Sequence, residues 1–259
     1  MQARNSPWIV RTAPRDGAAL RLFLLPHAGA SAVIYRDWHR AFGDGIDVCA
    51  IEPPGAFARR REPKIREVRE FASRMAEAIE PYLDIPFAFF GYSLGALMAF
   101  ECARLLCRTE KPRPRHLIVA AHKAPHVPMR NPPISRASTS VFVRELERRY
   151  GEFEAAIKAE PELMEVVVEM MRVDLAMLEN YRFRDEAKFS FPVTAIGGTH
   201  DTTTDRAALE AWRAHTDGAF QTHMLPGGHF FLRTQAAELR AIVSDALGVA
   251  KPSGASAQV

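Results

Sequence analysis

Ser93 stands in Gly91-Tyr92-Ser93-Leu94-Gly95, between the short apolar run Pro86-Phe87-Ala88-Phe89-Phe90 and a segment rich in helix formers from Ala96 to Leu106. Strand, sharp turn and helix around G-x-S-x-G hold a serine hydroxyl out of a sheet, at the positive end of the helix that follows. The two glycines are required because a side chain would clash where strand and helix pass close beside a strained turn. A serine alone is a poor nucleophile, so this chemistry needs a base and an acid later in the chain, in the order Ser, Asp/Glu, His. Among nine histidines, His229 follows the apolar run 220–225 and a Gly227-Gly228 loop, where such a base belongs. For the acid, Phe191 to Ile196 reads as a buried strand and Gly197-Gly198-Thr199-His200-Asp201 as the loop leaving it. Asp201 is the candidate; Asp205 is its rival, better suited to cap a helix over 206–215. Together Ser93, Asp201 and His229 could carry acyl transfer through a covalent serine ester.

That chemistry also needs two backbone N–H groups aimed at the developing oxyanion. One comes from the residue after the nucleophile, Leu94. The other comes from an early strand-to-loop turn: Leu22-Phe23-Leu24-Leu25 reads as a strand that ends in the small-residue loop Pro26-His27-Ala28-Gly29-Ala30-Ser31. Ala28 is the choice for the second donor. His27 precedes the nucleophile in the chain and is read as shaping the loop. His122 and His126 have the i, i+4 spacing of metal ligands, but Pro125 argues against a helix there, and no metal site is expected.

The elements that must position these residues alternate as strand and helix. Ile46 to Ile51 and 116–121 are further strands, and Val68 to Leu83 is a helix, so a mostly parallel sheet covered on both faces is expected. This is an α/β fold, an α/β-hydrolase built on 1–259 as one domain. The rhythm breaks over about 125–189, too long for an ordinary connection, which reads as an inserted helical lid over the serine. Its helix from Glu162 to Tyr181 carries a wide apolar stripe and four methionines. Met170 and Met177 are expected to line an acyl path; a helix packed on both sides by its own neighbours fits the stripe equally.

The set Leu25-Pro26-His27-Ala28-Gly29, Trp38, Pro54-Gly55, the serine pentapeptide, Ala124-Pro125, Gly198-Thr199-His200-Asp201, Trp212 and Gly227-Gly228-His229-Phe230-Phe231 resembles the type II thioesterases. These are stand-alone editing enzymes of polyketide and nonribosomal peptide assembly lines. The resemblance runs from Leu22 to Leu247 and puts the family's nucleophile on Ser93, its acid on Asp201, its base on His229 and its oxyanion donors on Ala28 and Leu94. Two departures stand out: Ala28-Gly29-Ala30 replaces the usual Ala-Gly-Gly, and Pro54-Gly55-Ala56-Phe57-Ala58-Arg59 replaces Pro-Gly-Arg. The resemblance implies hydrolysis, in trans, of acyl groups from the phosphopantetheine arm of acyl or peptidyl carrier proteins, with no cofactor. A general carboxylesterase and a non-catalytic carrier-binding partner remain as alternatives.

The 259 residues carry 34 Lys and Arg against 31 Asp and Glu, so no large nucleic-acid footprint is implied. The basic runs Arg59-Arg60-Arg61 and Arg108 to Arg115 read as solvated surface, one of which could dock an acidic carrier. Three cysteines at unhelpful spacing imply reduced thiols. No apolar leader or membrane span is evident, so a cytoplasmic monomer is expected, with a disordered tail over 250–259.

Overall fold

Seven strands form one sheet in the order β1 (Ile9–Val10), β3 (Ile46–Ile51), β2 (Leu20–Leu25), β4 (Phe87–Tyr92), β5 (Leu117–Ala120), β6 (Val193–Gly198) and β7 (Phe220–Leu225). Every neighbouring pair is parallel except β1 with β3. The computed structural model describes residues 6–151 and 158–248; the tail 250–259 lies outside them.

Strands β3 and β4 are buried along their whole length and do not alternate apolar with polar; the one charge in them, Asp47 of β3, is paired with Arg21. The side chains of β2 and β4 divide between two cores. Phe23, Phe87 and Phe89 pack with α1 (Val68–Ile79) and α2 (Leu94–Cys107), whereas Leu22, Leu24, Ala88 and Phe90 face the opposite layer. Burying each such aromatic contributes about 1.5–3 kcal/mol.

The connection between β5 and β6 carries α3 (Thr139–Tyr150) and α4 (Pro161–Asn180). It has a core of its own, with Ile134, Phe142 and Leu146 packed against Val168 and Leu175. Polar ties fasten it. The Glu179 carboxylate accepts from the N–H groups of Ile134 (2.6 Å) and Ser135 (3.2 Å), and Arg172 donates to the Ser135 (2.7 Å) and Ala137 (2.8 Å) carbonyls. At the far end the Tyr181 hydroxyl donates to buried Glu101 on α2 at 2.6 Å. Among the described residues no helix is long and apolar enough to cross a membrane.

Four histidines are held neutral by burial: the pKa of His27, His116 and His215 is lowered to about 4 and that of His122 to about 3. The unfolded chain, titrating near the ordinary value of about 6.5, binds more protons than the folded one below that pH. Stability is therefore full above about pH 6.5 and is lost as pH falls toward about 4. The melting temperature should drop between about pH 7 and pH 5, and less steeply in His116→Gln; a flat profile in both would contradict this account.

Candidate active site

Ser93 is the turn between β4 and α2, at φ 54° and ψ −118°. Few residues other than glycine adopt positive φ, and the strain costs about 1–3 kcal/mol. It is held there by the Ser93 N–H donating to the Ala120 carbonyl (2.8 Å) and the Ala96 N–H donating to the Ser93 carbonyl (2.9 Å). The flanking glycines are fixed by close approach: a Cβ on Gly91 would lie 2.3 Å from the Gly95 carbonyl oxygen, and one on Gly95 2.3 Å from that of Leu25.

The structure brings Ser93, His229 and Asp201 together from three loops at the carboxyl ends of β4, β7 and β6. Ser93 Oγ is 3.0 Å from His229 Nε2, and His229 Nδ1 is 2.8 Å from Asp201 Oδ2, with all three residues buried. A carboxylate can only accept, so Nδ1 carries the proton and Nε2 is left to accept from the serine hydroxyl. Burial alone would raise the Asp201 pKa. The hydrogen bond and charge of His229, with the Thr203 hydroxyl (2.7 Å) and N–H (2.8 Å) donating to Oδ1, outweigh it and hold the carboxyl below its ordinary value.

Asp205 takes no part in this set. Its side chain caps α5 (Arg206–Glu210), accepting from the Ala208 N–H at 2.8 Å, and pairs with Arg130. Sequence reasoning missed three contributors. Thr203 completes an Asp-x-Thr turn, a pattern that favours a side chain accepting from the N–H two residues on. Tyr92, inside the pentapeptide, donates its hydroxyl to the His229 carbonyl (2.5 Å) and accepts from the Leu232 N–H (3.2 Å), clamping the histidine loop. Tyr150, at the end of α3, stands edge-on to the His229 ring at 4.7 Å between centroids.

Ala28 and Leu94 line one recess with Ser93 and His229, walled by Met171, Leu175, Leu178 and Phe230. Leu94 opens α2, where a backbone N–H has no partner within the helix. Met170 and Met177, expected to line the acyl path, are not on this wall. Met171, Leu175 and Leu178 share one face of α4, and Met170 is turned about 100° away from it. Met177 is buried in the main core and faces a separate recess behind the 26–31 loop, with Pro26, Ile65 and Met98. The stripe is thus wide because α4 is packed on its own neighbours and also faces the serine. A second recess meets the first at Ser93, His229, Tyr150 and Leu178, and adds His122, Lys123, Arg130, Asn131 and Thr203 beside Met129.

His122 and His126 do not converge: the His126 ring meets His215, 2.8 Å between nitrogens, while the His122 carbonyl accepts from Trp212 Nε1. Arg59 departs from the expected solvated run. It is buried over the Trp8 ring (4.6 Å to its centroid), pairs with Glu62 and donates to the Glu52 carbonyl.

The thioesterase-domain family matches residues 20–247. Linear gramicidin dehydrogenase LgrE of Brevibacillus parabrevis is 35% identical over 93% of this chain and 93% of its own. Thioesterase PikA5 of Streptomyces venezuelae is 35% identical over 94% of this chain and 86% of its own. The structure of RedJ, a thioesterase from the prodiginine biosynthetic pathway of Streptomyces coelicolor, superposes with a TM-score of 0.84. It is 32% identical and covers 90% of this chain and 93% of that one.

The Tyr92 clamp is directly testable. Tyr92→Phe leaves the His229 carbonyl and Leu232 N–H without their buried partner, and should cost about 1–3 kcal/mol in urea unfolding while lowering turnover. An unchanged midpoint and unchanged turnover would show that the clamp is dispensable.

Proposed function

The chain belongs to the thioesterase family, and on that premise we propose that it hydrolyses acyl thioesters carried on the phosphopantetheine arm of carrier proteins, acting in trans. The observation that carries the mechanism is the bridge His229 makes between Ser93 (3.0 Å) and Asp201 (2.8 Å). Ser93 Oγ attacks the thioester carbonyl carbon as its proton passes to His229 Nε2. The Ala28 and Leu94 N–H groups receive the negative charge that develops on the carbonyl oxygen. Collapse of the tetrahedral adduct breaks the C–S bond. The departing thiolate takes the proton from His229 and leaves an acyl ester on Ser93. A water molecule that gives its proton to His229 then attacks the ester, and the acid is released as Ser93 recovers its proton. Asp201 stays ionised throughout, orienting the imidazole and stabilising its charged form.

The two recesses that meet at Ser93 suggest how the substrate lies. The recess walled by Met171, Leu175, Leu178 and Phe230 suits an apolar acyl chain, and the one holding Lys123, Arg130 and Asn131 suits the polar arm. Helices α3 and α4, in the connection between β5 and β6, then act as a lid. The biosynthetic pathway named for RedJ and the 35% identity to thioesterase PikA5 favour an enzyme that clears stalled or misprimed acyl groups from an assembly line. No cofactor is needed for these steps. The dehydrogenase activity named for LgrE finds no support in this sequence, which has no G-x-G-x-x-G stretch to cradle a dinucleotide. A general carboxylesterase would use the same groups, so carrier-bound thioesters should be turned over with higher kcat/KM than free oxyesters; the reverse order would favour the esterase.

Ser93→Ala should lower turnover by about 10³-fold or more with folding intact, and retention of a tenth of wild-type turnover would rule out the serine mechanism. Asp201→Asn should cost on the order of 10⁴ in turnover, whereas Asp205→Asn should cost little beyond a helix cap; exchanged behaviour would make Asp205 the acid. Leu178→Trp should shrink the apolar recess and shift preference from octanoyl- to acetyl-carrier by more than about tenfold, at about 0.8 kcal/mol per excluded methylene. The same change at Met170, on another face of α4, should leave that ratio unaltered.

A further inference from the structure

The loop that supplies the Ala28 N–H is held from the helix above it. From His27 to Ala30 the chain makes a turn closed by the Ala30 N–H donating to the His27 carbonyl at 3.1 Å, with Gly29 at φ +74°. Positive φ at the third position is the mark of a type II turn, which differs from type I by a flip of the central peptide. Here that peptide joins Ala28 to Gly29, and both of its ends are tied. Its carbonyl accepts from His27 Nδ1 at 2.9 Å, the imidazole being kept neutral by burial with a pKa of about 4. Its N–H donates to Asp174 Oδ2 at 2.7 Å, and Asp174 is a buried residue of α4. The second oxygen of that carboxylate pairs with Lys64 Nζ at 2.5 Å. The helix also rests on the turn itself: a Cβ on Gly29 would lie 2.9 Å from Met171 Cγ.

We propose that Asp174 is a positioning residue for hydrolysis, holding the Ala28–Gly29 peptide so that the oxyanion hole is assembled only when α4 is seated over the site. The inference rests on the acyl-transfer reading above, in which Ala28 is an oxyanion donor. Asp174 touches no reacting atom. It acts through the turn: the Ala28 N–H lies in the preceding His27–Ala28 peptide, and releasing the Gly29 N–H frees the whole His27–Ala30 turn to shift from Ser93, carrying that donor off the line to the carbonyl oxygen. Lys64 supplies the opposite charge that a buried carboxylate requires. Seating of α4 therefore closes the acyl recess and sets the donor in one movement, and a site whose helix has lifted is open but poorly catalytic.

The test uses the full chain with an acetyl thioester of N-acetylcysteamine as substrate and a trifluoromethyl ketone thioether, which forms a charged adduct with an active serine, as the probe of the hole. Removing a donor from such a hole costs about 10²–10³ in turnover, and a donor left in place but misaligned should cost about thirtyfold. Asp174→Ala should thus lower kcat by that amount with KM within about threefold, and weaken the ketone in parallel with kcat/KM. Asp174→Asn keeps an oxygen acceptor for the Gly29 N–H and should recover most of the loss. Asp174→Glu keeps the charge beside Lys64 but displaces the acceptor by a methylene. It should lower kcat by about tenfold or more, and it carries the test where Asp174→Ala is unstable. Wild-type kcat and ketone affinity in the folded Ala or Glu variant, or a change in KM alone, would overturn the inference. Activity surviving in Ser93→Ala would instead overturn the acyl-transfer reading on which it rests.

Discussion

A serine held at φ 54° is the constraint from which the rest of this structure follows. The strain is tolerable because backbone closes in on every side. Strand β4 and helix α2 pass so near one another that Gly91 and Gly95 have no room for a methyl group, and Gly95 abuts the end of β2. That last contact brings the loop after β2 to the nucleophile. The position of Ala28 beside Leu94 is thus a consequence of the same close packing that bends the chain at Ser93. Strain at the carboxyl ends of the strands is not confined to the serine, since Ala121, just past β5 and lining the same site, also sits at positive φ (53°).

Polar groups buried around this turn are satisfied in an order that fixes proton positions. Thr203 fills one oxygen of Asp201, which leaves the other for His229. The Asp201 contact puts a proton on Nδ1, and Nε2 then has the serine hydroxyl as its partner. Tyr92 ties the histidine loop back to the residue before Ser93, so His229 and the serine share one support. In a low-dielectric site, a chain of this kind is worth more than its separate bonds.

Helix α4 shows how one segment serves two packing demands. Val168 and Leu175 bury it against α3, while Met171 and Leu178 stand toward Ser93. Asp174, between them, reaches the loop after β2. An apolar stripe broader than a single buried face is what this double contact requires.

The serine pentapeptide, the alternation of strands and helices and the loops carrying Asp201 and His229 were legible in the sequence because each is a local matter. Turn sterics, burial on both faces of a parallel strand and residue type at a strand's end all act within a few positions. The bounds of α4 were legible too, Pro161–Asn180 lying within a residue of the span read from its periodicity, whereas the helices expected over 68–83 and 206–215 end at Ile79 and Glu210 and continue as 3₁₀ turns. What local pattern could not settle was direction. The periodicity of α4 marked its apolar residues but not which of them faced the serine, so Met170 and Met177 stood in for Met171, Leu175 and Leu178. Nor could it reveal partners far apart in the chain, such as Tyr92 and the His229 carbonyl 137 residues on, or Gly29 and Asp174, 145 residues apart. Those pairings exist only once the sheet has stacked the loops and the helix has been laid across them, because a hydrogen bond between distant residues is fixed by where packing leaves both ends. The sequence by itself singled out Ser93, Asp201 and His229 and the elements on which they ride; the tertiary structure alone decided what holds each of them in line.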